Sequence, residues 1–497
     1  MAIAEGRQTT ALGGAMEALL LVDNSSVRSS TGATFERRDP LTGATVTRAA
    51  AATADDAKMV ADRAAAAFPS WAAVRPSERR ALLLRAADLL ASRVDDFSAV
   101  MMGETGASGP WVSFNVNLAA NMLREVASFV TQINGEVHTS ELTGCLSMAI
   151  RQPVGVVLGI APWNAPIILA VRAIAAPLAC GNTVILKSSE ISPGTQAILG
   201  RVFTDAGFPK GVVNVISNAP ADAGQIVETL IAHPMVRRIN FTGSTRVGRI
   251  IAETAGRHLK PVLLELGGKA PLVVLDDADL DEAVNGAAFG AFVYQGQVCM
   301  STERVVVDRK VADNFVAKFA AKAQSLPAGN PRNGNVVLGP LIGEDSAKRV
   351  EGLVNDAVAK GARLVAGGQR DGSIMAATVL DHVTPAMRIY HEESFGPVAS
   401  VIRVDDVEDA IRVANDTEYG LSAAVFGRDV NRALAVARRI ESGICHINGP
   451  TVQDEAQTPF GGMKASGYGR FNGHAAIHEF SELRWISIES EPHHYPF

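Results

Sequence analysis

From Val154 to Phe241 short valine- and isoleucine-rich runs alternate with helical stretches, and this alternation limits the possible folds more than any other feature. Val154-Gly-Val-Val-Leu-Gly-Ile160, Thr183–Leu186, Val212–Ile216 and Arg238–Phe241 have strand length and composition. Helical patterns near Ile167–Leu178 and Gly194–Ala206 lie between them, with another before Arg238. A second alternating block begins at Pro271–Leu275 and continues through Arg304–Val307, Ala399–Val404, Ala423–Phe426 and Ile444–Ile447. A helical opening precedes both blocks. Thr53 caps a run through Phe68, Pro76 starts a second helix, and a third spans about Val112–Val130. The class is α/β: two αβ lobes with parallel sheets covered on both faces. A length of 497 residues, too great for a single core, agrees with this.

The formal net charge of -6 leaves no basic footprint for nucleic acid or an anionic membrane. No apolar run is long enough for a transmembrane helix. Residues 1–18 are expected to be a flexible extension, without the basic start of a secretory signal. Cys145, Cys180, Cys299 and Cys445 form no CxxC pair, so neither a disulfide framework nor a metal site is expected. These features fit a cytoplasmic enzyme.

Three distant segments carry groups that suit one carbonyl. Gly296-Gln-Val-Cys-Met-Ser-Thr302 offers a thiol, and Glu265-Leu-Gly-Gly-Lys269 a carboxylate followed by two glycines that permit close backbone approach. Ala161-Pro-Trp-Asn-Ala-Pro166 holds an amide between prolines. A thiol attacking a carbonyl needs a donor for the oxygen that becomes negative, and later a base to prepare water. Asn164 and Glu265 are candidates for those tasks, although an isolated cysteine is more often a small buried hydrophobe. Gly243-Ser-Thr-Arg-Val-Gly248 follows a strand and opens a helix, yet it is neither GxGxxG nor a Walker loop. Its amides could hold a pyrophosphate, or the turn could be plain helix capping.

Together with Phe241-Thr-Gly-Ser-Thr245, Glu392-Glu-Ser-Phe-Gly-Pro397 and Pro459-Phe-Gly-Gly462, these segments make the chain resemble the aldehyde dehydrogenase superfamily from about residue 20 onward. The resemblance implies a Rossmann-like NAD-binding lobe from 19–128 and 151–265, a catalytic domain from 266–447, and a return segment at 448–478. A small β element, from a hairpin at 129–150 and a C-terminal strand within 479–497, would join subunits into a homodimer or homotetramer. That strand, Leu483-Arg-Trp-Ile-Ser-Ile488, has apolar residues on both faces. A monomer that folds it onto itself is the alternative.

The resemblance also implies NAD as cofactor. Gly243 and Ser244 would lie against the pyrophosphate, and Lys187 on the adenosine ribose. Glu190 would contact that ribose and repel a 2′-phosphate. Glu393 and Phe395 would hold the nicotinamide ribose and ring, with Ile160, Pro162, Trp163 and Gly267 completing the set. Lys187-Ser-Ser-Glu190 lacks the family's usual proline, which implies a freer loop. Cys299 would attack as thiolate, more easily if nearby N–H dipoles lower its pKa. Asn164 and the Cys299 backbone N–H would receive the oxyanion, and Glu265 would activate water for hydrolysis. Lys269 would pair with a carboxylate such as Glu265 or cap a loop.

Within the superfamily the likeness is to bacterial salicylaldehyde and vanillin dehydrogenases, carried by His446–Gln457 and Arg151-Gln-Pro-Val-Gly155. It implies an aromatic aldehyde as substrate and a pocket including Trp111, Arg172, Met300 and Tyr468. Trp111 packing between helices and Arg172 pairing with an acid are the structural alternatives. Gln453 and Thr458 stand where those relatives often carry histidine and methionine. A broad-specificity or semialdehyde dehydrogenase, and from another class a thiol esterase or a scaffold, remain open.

Overall fold

The computed structural model describes residues 14–334, 336–492 and 494–497. Its main frame is an eight-stranded and a seven-stranded sheet. The first is ordered Gly467–Tyr468, Val262–Glu265, Val236–Thr242, Val156–Ile160, Thr183–Lys187, Val213–Ile216, Leu20–Val22, Ser25–Val27. Its five central strands are parallel. Chain order runs outward from Val156–Ile160 in one direction and then jumps to Val236–Thr242 on its other side. That reversal opens a crevice at the strands' carboxyl ends, where open α/β sheets bind ligands.

The second sheet is ordered Arg363–Ala366, Thr378–Asp381, Val398–Val404, Thr302–Asp308, Ala270–Val274, Ser422–Phe426, Ile444–Ile447. All its pairings are parallel except that of the first edge strand. Apolar cores lie on both faces of each sheet, as strand–helix alternation requires. The sheets are joined through Leu266–Lys269, so the carboxyl end of Val262–Glu265 leads directly into Ala270–Val274.

Helix Ala54–Ala72 starts with a capping box between Thr53 and Asp56, as the sequence predicts, but continues past Phe68 through Pro69. Helix Val94–Thr105 was not foreseen. Nor were the first strands. Residues 1–13 lie outside the described residues, while Met16–Ala18, assigned to the flexible extension, pairs in parallel with Thr47–Ala49. Leu20–Val22 and Ser25–Val27 form a hairpin through Asp23 and Asn24, both at positive φ. Such turns match the strand twist and suit Asp and Asn.

Glu136–His138, Cys145–Pro153 and Ser481–Glu489 form a separate antiparallel sheet. The hairpin's second strand therefore runs past Ile150 to Pro153. Trp485 and Val137 are 74% and 75% exposed, and Leu483 and Ile488 also face outward. No helix among the described residues is long and apolar enough to cross a membrane.

Candidate active site

Asn164 sits where the first sheet passes into a wholly buried helix. Strand Val156–Ile160 ends, the chain turns through Pro162, and Pro166 opens helix Pro166–Ala179 at its first turn, where a missing N–H costs nothing. Buried Asn164 donates through Nδ2 to the Gln297 carbonyl at 2.9 Å. Its own carbonyl accepts from Trp111 Nε1 at 3.0 Å. The amide is thereby fixed beside the segment that carries Cys299.

That segment is a tight turn. Tyr294, Gln295 and Gly296 have φ of 48°, 55° and 70°. Left-handed backbone costs the two non-glycine residues roughly 1 kcal/mol or more each, so the surroundings must hold it. Gln295 Nε2 donates to the Pro340 carbonyl, Gln297 Oε1 accepts from Ile342 N, and Ser301 Oγ donates to the Gly296 carbonyl. A side chain on Gly268 would collide with the Cys299 carbonyl, which is the close approach the paired glycines were expected to serve.

Glu265 ends its strand fully buried, with its backbone paired to Gly467 and its carbonyl accepting from Gly243 N at 3.0 Å. Neither carboxylate oxygen has a well-formed hydrogen-bond partner among the described residues, and the Cys299 thiol makes a loose contact with it. Burial raises this carboxyl to about 7, against the nearby charge of Arg172. Burial, and then the Glu265 charge, hold the Cys299 thiol well above its ordinary value. Loss of solvent thus works against the thiolate that nearby N–H dipoles would favour. The arrangement favours a thiol that yields its proton to Glu265 as it attacks.

Lys269 does not pair with Glu265. Fully buried, it pairs with Glu303 and donates to the Glu392 carbonyl. Glu303 also accepts from Ser394 N and Phe395 N, so the pair suspends the Glu392–Phe395 loop over the cleft. Glu393 in turn accepts from Gly268 N at 2.8 Å, and a Cβ on Gly267 would approach its carboxylate to 2.9 Å. Burial raises Glu393 to about 8. Phe395 meets Trp163 edge-on at 5.8 Å. The buried Ser394 hydroxyl has no hydrogen-bond partner among the described residues.

The other predicted cofactor residues lie at the carboxyl ends of the first sheet's strands. Ile160 and Lys187 end neighbouring strands, while Gly243 and Ser244 lead from Val236–Thr242 into helix Thr245–Arg257. Lys187 pairs with Glu190, which also accepts from Asn218 Nδ2 at 3.0 Å. The Lys187–Glu190 loop is not free: Ser189 N donates to Gln196 Oε1 at 2.7 Å, and Gln196 Nε2 reaches the Pro162 carbonyl. The Ser188 hydroxyl and Asn218 Oδ1 are buried without partners among the described residues. Ser244 caps helix Thr245–Arg257 by accepting from Val247 N at 3.4 Å, so the capping alternative holds for that turn, while the open polar atoms and the strand-order reversal suit a dinucleotide.

A cavity of about 780 Å³ opens on the other side of Cys299. Helix Pro166–Ala179 and the residue before it contribute Ala165, Ile168, Leu169 and Arg172, one face at helical spacing. Asn285, Ala288, Phe289 and Phe292 do the same from helix Leu280–Phe292. Trp111, Asn164, Cys299, Met300, Asp454 and Phe460 complete much of the wall. Of the predicted pocket residues, Trp111, Arg172 and Met300 are present. Tyr468 is not: it lies on an edge strand opposite Leu264 and is 51% exposed. Arg172 is committed to Asp454 and sits over the Phe460 ring at 4.0 Å, so the acid-pairing alternative describes its charge. Sequence reasoning missed Asp454, Phe460 and the Leu280–Phe292 face, although the spacing 285, 288, 289, 292 was a readable signal.

Residues 27–486 match the aldehyde dehydrogenase family. A vanillin dehydrogenase of Pseudomonas fluorescens is 61% identical over 96% of this chain and 99% of its own. A benzaldehyde dehydrogenase [NAD(+)] of Pseudomonas putida is 41% identical over 92% of this chain and 94% of its own. The crystal structure of a salicylaldehyde dehydrogenase from Pseudomonas putida G7 complexed with salicylaldehyde aligns with a TM-score of 0.95 and 52% identity, covering 97% of this chain and 100% of that one. The chain therefore belongs to the aldehyde dehydrogenase family and is an enzyme of that type.

Proposed function

We propose that this enzyme oxidises aromatic aldehydes of the benzaldehyde, salicylaldehyde or vanillin type to carboxylic acids, with NAD as hydride acceptor. The observation that carries the reading is the meeting of Cys299, Asn164 and Glu265 where an aromatic-lined cavity reaches the carboxyl ends of the first sheet's parallel strands. Relatives whose names specify those three aldehydes support the substrate class.

The aldehyde carbon accepts the Cys299 sulfur as the thiol proton passes to Glu265. Asn164 Nδ2, whose second hydrogen is left by the Gln297 bond, and the Cys299 backbone N–H receive the oxyanion. Lys187, Glu190, Gly243, Ser244, Gly267, Glu393 and Phe395, with Ile160, Pro162 and Trp163 beside them, would hold NAD, which when bound supplies the acceptor for the aldehyde hydride. Once Glu265 has passed the thiol proton on to solvent, water that gives its own proton to the regenerated carboxylate releases the resulting thioester, a carboxyl at about 7 being suited to a base near neutrality. Glu190 disfavours a 2′-phosphate at the adenosine end by charge.

Initial rates of NAD reduction with benzaldehyde, salicylaldehyde, vanillin, succinic semialdehyde and a straight-chain aldehyde test the assignment. Higher kcat/KM for the last two would replace it with the broad or semialdehyde reading. Ester cleavage without NADH formation from any aldehyde would support the thiol esterase. The outward-facing Val137, Leu483, Trp485 and Ile488 support a homodimer or homotetramer built on the three-stranded sheet. A monomer in sedimentation equilibrium at micromolar concentration would remove that assignment. Four unpaired cysteines fit a cytoplasmic setting.

A further inference from the structure

We infer that Trp111 is a positioning residue that clamps the oxyanion amide to the nucleophile turn, rather than a platform on which the substrate ring stacks. The inference rests on the proposed role of Asn164. Trp111 belongs to helix Gly109–Phe129, far in sequence from both segments it touches, and is 8% exposed. Its indole N–H donates to the Asn164 carbonyl at 3.0 Å. One ring face lies on Tyr294, with centroids 4.8 Å apart and planes within 10° of parallel. Phe114, one turn along the same helix, stacks at 5.3 Å. Where it lines the cavity, the indole is already engaged by two neighbouring rings and by its own N–H bond.

The two partners are the ones that matter to the oxyanion. Asn164 brings the amide; Tyr294 is the first of the consecutive left-handed residues leading to Cys299. Asn164 Nδ2 also bonds the Gln297 carbonyl in that turn. A closed circuit results: indole to Asn164 carbonyl, Asn164 amide to Gln297, Gln297 N to Tyr294 carbonyl, Tyr294 ring back to indole. Removing the indole N–H leaves the Asn164 peptide free to rotate, and the donor leaves the place where negative charge develops. The loss falls on the transition state more than on substrate binding.

Two replacements and one cycle test this. Trp111→Phe keeps an apolar ring against Tyr294 and removes the donor. The benzothienyl isostere of the indole removes the N–H while keeping shape and stack, and covers the case in which Trp111→Phe does not fold. For either, kcat should fall about tenfold with the aldehyde KM within about threefold, the scale of one lost buried hydrogen bond. In an Asn164→Ala background the same change should cost less than about twofold, because both act through one amide. A raised KM with unchanged kcat would make Trp111 a substrate contact and overturn the clamp. Losses that multiply fully with those of Asn164→Ala would show general loosening and also overturn it. If Asn164→Ala alone keeps wild-type kcat, the oxyanion assignment fails and the clamp fails with it.

Discussion

On one side of Cys299 the cleft is made of main chain and charge: a helix start after Gly243, the Lys187–Glu190 pair, and the Glu392–Phe395 loop suspended from Glu303. On the other side the cavity is made of helix faces, aromatic rings and one sequestered ion pair. The polar cleft is held by many directed hydrogen bonds, each replaceable only by a group of the same geometry. The apolar cavity is held by shape, which tolerates exchange of one ring for another of similar volume. Chemistry is therefore fixed in the first region, and substrate choice is left adjustable in the second.

The largest expected effects lie at the boundary between them. Cys299→Ala should lower aldehyde-dependent NADH formation by more than about a thousandfold, and retention of turnover would end the covalent scheme. Glu265→Gln should slow both the first burst of NADH and steady turnover by about a hundredfold or more; stopped-flow absorbance separates the two phases, and a burst of normal rate would confine Glu265 to hydrolysis. Glu265 works as carboxylate, so kcat limited by hydrolysis should rise as pH passes through about 7 and level off above it. Replacing the pair together, Arg172→Met with Asp454→Leu, avoids stranding a buried charge and should move that limb to higher pH. The reason is that the Arg172 cation lowers Glu265 more than the Asp454 anion raises it. An unmoved limb would confine Arg172 to the cavity side.

Smaller effects sharpen the contrast. Glu190→Gln should improve kcat/KM for NADP relative to NAD by about tenfold, equivalent to about 1.4 kcal/mol. Tyr468→Phe, outside the cavity, should leave aromatic-aldehyde kcat/KM within about twofold, as an exposed substitution usually does. A larger loss would bring Tyr468 back to the substrate.

The same division explains what the sequence revealed. Strand–helix alternation announced both parallel sheets, and most predicted strands lie within a residue or two of their observed ends. The meeting of Cys299, Glu265 and Asn164 was legible because each stands in a short segment whose neighbours, glycine or proline, serve the same geometry. The thiol's raised pKa was not, since burial depends on everything packed around it. Lys269 and Glu303 meet only when the chain has folded, so nothing local could choose Glu303 over Glu265 as the partner. The cavity was the hardest part. Asp454 and Phe460 come from an irregular return segment without periodicity, and Tyr468 was misplaced because that segment passes the cavity and goes on to a sheet edge.

The absence of a side chain at Gly268 reaches beyond its own turn. There the backbone leading from Glu265 packs directly on the Cys299 carbonyl, so the separation of these two residues is set by peptide geometry. Changes in surrounding side chains can retune acidity, solvent access and ring preference without altering that spacing. A methyl group at position 268 is the smallest alteration able to part them, which makes this position a strict test of how rigid the reacting centre has to be.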